Sequence, residues 1–205
     1  MMLCYITDRS AFPGDEAARR RQLIQKVGEA ARSGVDYIQL REKDLAGGEL
    51  EALGRQALRA VREARTQTKL LLNSRTDVAI AIGADGVHLR GDDVTPREVV
   101  GFHGGAWLIG VSCHSVENVF RAEAEGASFA VLAPIFGKHS KESVQALGLE
   151  TLRSACRSKL PVLALGGVTQ ENARACLDAG AAGITGIRLF QNNPIEEVVR
   201  ELRSC

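Results

Sequence analysis

Eight times along the chain a short apolar run gives way to a segment with helical spacing, and no other feature restricts the fold as much. The runs cover residues 3–7, 37–40, 70–73, 86–89, 107–112, 129–132, 161–165 and 183–187. The helical segments that follow cover 15–33, 48–64, 76–82, a start at Thr95-Pro96, then 115–125, 149–157, 170–179 and 194–203. In the first, Leu23, Ile24 and Val27 share a face. Pro96 stands where a helix tolerates proline, and Ser115 is placed to cap the fifth helix. Strands that alternate with helices must pair in parallel, because each helix returns the chain to the same end of the sheet. Eight such units in succession favour closure into a (β/α)8 barrel, the TIM-barrel architecture, over an open sheet.

The length supports one barrel and little else. At 205 residues the chain is close to the roughly 200-residue floor of such barrels, so residues 1–205 form one domain with short loops. Hydrophobic residues make up 45% and aromatic residues only 4%, so the core must be aliphatic, as suits parallel strands buried on both faces. A weak repeat points the same way. Gly34, Gly83, Gly126 and Gly180 each follow a helical run and precede an even-numbered strand. Each is placed to end its helix in the left-handed conformation.

Charge and cysteine usage exclude several classes of partner. A net charge of +1 offers no bulk field for nucleic acid or an anionic membrane, so an anion site must be local. The five cysteines are odd in number, scattered, and never spaced as CxxC. They read as free thiols in a reducing cytoplasm. The N-terminus lacks a signal-peptide pattern, and no apolar run approaches the ~20 residues a membrane span requires. Nothing in the sequence excludes association into a homo-oligomer.

In this architecture the chemistry sits just past the C-terminal ends of the strands. After the second strand, Gln39, Arg41 and Lys43 alternate onto one face, a doubly cationic row with an amide that suits a diphosphate. The bland reading is a solvated salt-bridge cluster around Glu42. After the third strand, Asn73 could bond a heterocycle or cap the next helix. After the fourth, Asp92 and Asp93 could hold Mg²⁺, or serve as ordinary turn and cap residues. After the fifth, His114 is the best placed of the four histidines for proton transfer, with Ser112 beside it. His88 lies within a strand and reads as packed and hydrogen-bonded, and His103 as solvent-exposed. Cys113 and His114 are strand neighbours facing opposite ways, which argues against a nucleophile pair. After the sixth strand, Lys138, His139, Ser140 and Lys141 read as a phosphate clamp or a solvated loop. After the seventh and eighth come Gly166-Gly167 and Ile187-Arg188. Loops at these places commonly form a phosphate site, so this is the strongest signal read from the residues alone.

These pieces together resemble the thiamine-phosphate synthase family, which includes the related thiazole tautomerases. The resemblance runs from Tyr5-Ile6-Thr7-Asp8 to Gly183-Ile184. It is carried by Gln39-Leu40-Arg41-Glu42-Lys43, Ala84-Asp85-Gly86-Val87-His88-Leu89, Gly110-Val111-Ser112-Cys113-His114, Ala133-Pro134-Ile135-Phe136 and Gly166-Gly167-Val168-Thr169. It implies that hydroxymethylpyrimidine diphosphate is coupled to a thiazole phosphate with release of diphosphate and with Mg²⁺. Gln39, Arg41, Lys43 and Asn73 would then hold the pyrimidine diphosphate, and Asp93 the metal. Ser112 and Lys141 would touch the diphosphate. Ser140, Gly167 and the Ile187-Arg188 turn would hold the thiazole phosphate.

Three positions depart from the synthase pattern. Ser74 stands where a second carboxylate is expected, Gly91 where a Gln precedes the acidic pair, and Gly137 to Ser140 where a Thr-rich loop is usual. Asp92 or Asp77 could replace the lost ligand. The stretch Asn73-Ser74-Arg75-Thr76-Asp77 is closer to the tautomerase branch, which needs no metal and isomerises thiazole carboxylate phosphate with a histidine matching His114. A barrel that binds these phosphates without turnover is a third expectation.

Overall fold

Strands form where the apolar runs predict them and close into a parallel barrel in the order β1 to β8. They are β1 (Met2–Ile6), β2 (Tyr37–Leu40), β3 (Lys69–Asn73), β4 (Gly86–Leu89), β5 (Leu108–Cys113), β6 (Phe129–Leu132), β7 (Val162–Ala164) and β8 (Gly183–Gly186). The computed structural model describes residues 1–103, 107–137 and 145–204. Closure is made by β1 against β8, with Leu3 opposite Ile184 and Cys4 opposite Thr185.

The pleat divides each strand between two cores. Cys4, Ile6, Leu71, Phe129, Val131 and Leu163 point inward and fill the barrel. Gly110 leaves room for them: a Cβ there would lie 2.5 Å from the Phe129 ring and 2.5 Å from His88 Nδ1. The alternate residues, among them Leu3, Tyr5, Ile38, Leu40, Leu70 and Leu72, point outward into the larger core beneath the helices.

The helices are α1 (Glu16–Arg32), α2 (Gly47–Glu63), α3 (Thr76–Ile82), α4 (Pro96–His103), α5 (Val116–Ala124), α6 (Gly148–Ala155), α7 (Gln170–Asp178), α8 (Arg188–Gln191) and α9 (Ile195–Arg203). Ser115 caps α5 by accepting from the Asn118 amide, as expected. The four repeated glycines all take positive φ, +81° at Gly34, +71° at Gly83, +87° at Gly126 and +98° at Gly180. Each lets a helix end within one residue and the next strand begin, which is how so short a chain completes the barrel. The sequence reading had no α8. Four residues are too few to show a period, and its buried Leu189 and Phe190 continue the apolar run of β8.

Candidate active site

The charged groups of the row after β2 differ sharply in their partners. Glu42 is 5% exposed. It accepts from the Thr7 hydroxyl at 2.6 Å, the Arg9 amide at 3.0 Å and Arg9 Nη1 at 3.1 Å. Arg9 in turn grips Asp44 through two bonds, at 2.7 and 2.8 Å. That grip holds the Asp44 carboxyl at about 2. The solvated cluster considered from sequence is therefore not what forms. The acid of the row is spent on Arg9, and among the described residues neither Arg41 nor Lys43 has an ion-pair partner. Their proximity is felt electrostatically. The Lys43 ammonium is held below its ordinary value, first by Arg41, then by partial burial, then by Arg90. Cations that repel one another across a mouth are relieved by a polyanion.

Deeper in the barrel lies a polar layer. Gln39, 3% exposed, donates from Nε2 to Asn73 Oδ1 at 2.8 Å, and its own Oε1 is buried without a partner among the described residues. Asn73 Nδ2 donates to Ser74 Oγ at 3.0 Å, so Asn73 is joined to Gln39 and to its neighbour and does not cap α3. Ser74 sits at φ 62° with its amide bonded to the His88 carbonyl at 2.9 Å. His88 is 2% exposed and meets Ser112 Oγ at 2.9 Å. Burial brings its imidazole down to about 4, Asp93 opposes that and Arg41 adds to it. His88 is thus a neutral, packed histidine, as the sequence suggests, and it orients Ser112 beneath the mouth.

His114 stands at the end of β5 and is exposed. Its Nδ1 lies 2.9 Å from the Ala133 carbonyl. A carbonyl can only accept, so Nδ1 donates to it, and Nε2 is the nitrogen that would exchange a proton with a substrate. Cys113 is buried and its thiol is pushed up to about 12 by desolvation, which leaves it no role as a nucleophile.

The acidic pair is engaged by an arginine. Asp93 Oδ2 accepts from the Arg90 amide at 2.7 Å, and Asp93 Oδ1 lies 3.3 Å from Arg90 Nη2. Asp92, mostly in solvent, lies 3.3 Å from the same Nη2. Asp77 is taken by Arg75, at 2.8 and 2.6 Å. Among the described residues no three His, Cys, Asp or Glu side chains converge as metal ligands. With both oxygens of Asp93 bonded and Ser74 in place of a second acid, this donor set does not fit a resident magnesium ion.

Across the mouth, the ends of β7 and β8 frame a cavity of about 680 Å³ lined by Gly166, Gly167, Thr169, Gly186, Ile187 and Arg188. Gly166 and Gly167 take φ of +94° and +69°. A Cβ on Gly167 would come within 2.8 Å of Phe136 Cβ. Thr169 and Asn172 form a capping box at the start of α7, and Asn172 Nδ2 also holds the Gly167 carbonyl at 2.9 Å. The cavity therefore lies at the N-terminus of α7, whose dipole and first main-chain amides suit an anion. The structure adds a feature that the sequence offers no signal for. Gln191, 7% exposed, accepts from the Tyr5 hydroxyl at 2.9 Å and the Asp8 amide at 3.2 Å, and donates to the Asp8 carbonyl at 2.6 Å. It clamps α8, and with it Ile187 and Arg188, to the end of β1.

Lys138, His139, Ser140 and Lys141 lie outside the described residues.

A family profile described as thiamine monophosphate synthase matches residues 3–190. A thiamine-phosphate synthase of Roseiflexus sp. (strain RS-1) is 39% identical over 194 residues, covering 94% of this chain and 79% of its own length. One of Clostridium acetobutylicum is 34% identical over 190 residues, covering 90% of this chain and 84% of its own. The solved thiamine phosphate pyrophosphorylase from Pyrococcus furiosus superposes with a TM-score of 0.82 at 30% identity, covering 99% of this chain and 94% of that one. A 3-hexulose-6-phosphate synthase, with a TM-score of 0.69 at 19% identity and covering 100% of this chain and 99% of its own, shares the fold alone.

Proposed function

The chain belongs to the thiamine monophosphate synthase family, and from that premise we propose that it is a thiamine-phosphate synthase, coupling hydroxymethylpyrimidine diphosphate to thiazole phosphate at the barrel mouth. One observation carries the reading. The acid of the Gln39-to-Lys43 row is paired with Arg9, which leaves Arg41 and Lys43 without an ion-pair partner among the described residues, at the same end of the barrel as a glycine cradle. Two candidate anion sites thus share one end of the barrel, as a reaction between a diphosphate and a monophosphate requires.

In the proposed reaction, the bond between the pyrimidine methylene carbon and the diphosphate oxygen breaks, and its electron pair leaves with diphosphate. Arg41 and Lys43 stabilise that charge as it develops. The methylene cation is captured by the lone pair of the thiazole nitrogen, which forms the new carbon–nitrogen bond. Gln39 has an unused Oε1 and Asn73 lies beside it, so this pair holds the pyrimidine. Ser112 touches the diphosphate. Gly166, Gly167, Ile187 and Arg188 fix the thiazole phosphate so that the nitrogen is already aimed at the carbon. Lys141 and Ser140 are assigned to diphosphate and thiazole phosphate by resemblance alone. Asp93, with Asp92 beside it, is the acid a magnesium ion would use. Both contact Arg90, so the leaving charge falls to the chain's own cations. The setting consistent with this substrate pair is the cytoplasm, and no described helix is long and apolar enough to cross a membrane.

The test is a product assay on the purified chain, supplied with both substrates and followed for thiamine phosphate by chromatography. Stoichiometric thiamine phosphate and diphosphate are the expected products. If neither appears from saturating substrates, the synthase reading fails. A second reading, isomerisation of thiazole carboxylate phosphate, is favoured by His114, whose Nδ1 bonds the Ala133 carbonyl while Nε2 has no partner among the described residues. It predicts isomer exchange by NMR without the pyrimidine substrate, lost in His114→Asn.

A further inference from the structure

Arg90 ties the acidic pair to the cationic row. Its guanidinium lies 3.3 Å from both Asp92 and Asp93, and its amide is bonded to Asp93. The Asp93 side chain is 11% exposed and so is held in place, whereas Asp92 is 73% exposed and screened by water. Arg90 also lines the cavity at the end of β2 together with Lys43, Asn73 and Ser74. Its side-chain contacts among the described residues all use Nη2. The guanidinium has five N–H donors, and with Nη2 on the acids its Nη1 and Nε remain to donate singly to phosphate oxygens.

A magnesium ion at such a mouth would bridge a carboxylate and the phosphate oxygens of the substrate. Here a fixed cation already stands against that carboxylate. We propose that Arg90 takes the place of the metal in this chain, bridging Asp93 and the substrate's diphosphate and making the mouth a diphosphate site that needs no divalent cation. Lys43 and Arg90 both line that cavity, and the charge of Glu42, which also lines it, is taken by Arg9. The inference rests on the reading of this mouth as a diphosphate site, and it makes Arg90 a substrate-binding residue that the family pattern does not assign.

The test is calorimetric titration of the full chain with inorganic diphosphate, once in Mg²⁺ and once in EDTA. The native chain should bind with dissociation constants that agree within about threefold in the two buffers, since no metal bridge is made or lost. Arg90→Ala should weaken binding by at least about tenfold in EDTA and regain it in Mg²⁺, because Asp92 and Asp93 are released to hold the ion. Native binding that requires Mg²⁺, or Arg90→Ala binding in EDTA as the native chain does, overturns the proposal. Should Arg90→Ala not fold, titrating Mn²⁺ into the native chain and following water-proton relaxation decides the matter. Submillimolar binding would overturn it, and no binding in that range supports it. Neither experiment depends on turnover. A chain that binds diphosphate in EDTA but makes no thiamine phosphate keeps this inference and loses the synthase reading. A chain that makes thiamine phosphate only with Mg²⁺ does the reverse.

Discussion

Glu42 and Arg9, a carboxylate on the loop after β2 and a guanidinium on the loop after β1, meet at 3.1 Å with side chains 2% and 6% exposed. This contact does two things at once. It satisfies a buried arginine whose other partners are Asp44 and Glu16. It also removes the negative charge that would otherwise neutralise Arg41 and Lys43.

Removing one partner of a buried pair leaves the other without compensation. Glu42→Ala is therefore expected to destabilise the fold by about 3 kcal/mol, measured by urea denaturation. The Thr7 hydroxyl and the Arg9 amide lose their acceptor in the same substitution. A change under about 0.5 kcal/mol, the range of ordinary surface substitutions, would show that the pair is not holding the two loops together.

Arg41 should behave in the opposite way. Only its main-chain amide is bonded, to Thr7 Oγ1 at 3.0 Å, and its side chain has no ion-pair partner among the described residues. Arg41→Ala should leave the melting temperature nearly unchanged while lowering kcat/KM about a hundredfold, since the lost charge faces the leaving group. Loss of stability with intact kcat/KM would reverse the assignment.

The fold was legible because every unit states it again. Eight apolar runs with helical segments between them leave one closed topology, and the glycines at 34, 83, 126 and 180 mark where helices end. The candidate site was legible only where it follows the strand period. Gln39, Arg41 and Lys43 come from alternation, and Gly166-Gly167 from their place after β7. Contacts between distant segments leave no such trace. Nothing local pairs Glu42 with Arg9 or Gln191 with Tyr5. Arg90 stands in a turn where sequence shows only a charge beside two acids.

His88 gives the chain a pH dependence. Its folded imidazole resists protonation until about pH 4 because it is buried against Phe129 and Ser112. The unfolded chain takes up that proton near 6.5. The unfolded state thus binds more protons over this window, so stability is complete above about pH 6.5 and falls as pH drops toward 4, by roughly 3 kcal/mol in all. Denaturation midpoints across this range should show that loss, and His88→Gln should flatten it. A native curve that is already flat from 6.5 to 4 would contradict the buried neutral state.

Gly167 tests the cradle. At φ +69° with Phe136 Cβ 2.8 Å from where a methyl would stand, Gly167→Ala must shift the loop after β6 or its own backbone. The cost should be about 1–2 kcal/mol in stability. Movement of the amides away from the anion should raise KM for thiazole phosphate more than KM for the pyrimidine diphosphate. Equal effects on both would separate Gly167 from the monophosphate.

Gln191 acts at one remove, through the position of α8. Its amide joins the hydroxyl of the buried Tyr5 to the short helix that begins after Ile187, alongside the Tyr5–Phe190 ring contact. Gln191→Leu keeps the volume but leaves the Tyr5 hydroxyl and the Asp8 amide and carbonyl without their partner, a loss of about 1–3 kcal/mol. Gln191→Glu keeps an acceptor for Tyr5 and for the Asp8 amide but cannot donate to the Asp8 carbonyl, so it should fall between the native chain and Gln191→Leu. If the clamp sets the phosphate cradle, Gln191→Leu should raise KM for thiazole phosphate about tenfold, with kcat and the other KM within about twofold. A general loosening of the barrel would instead lower the melting temperature and move both KM values together, and that result would reduce Gln191 to a packing residue.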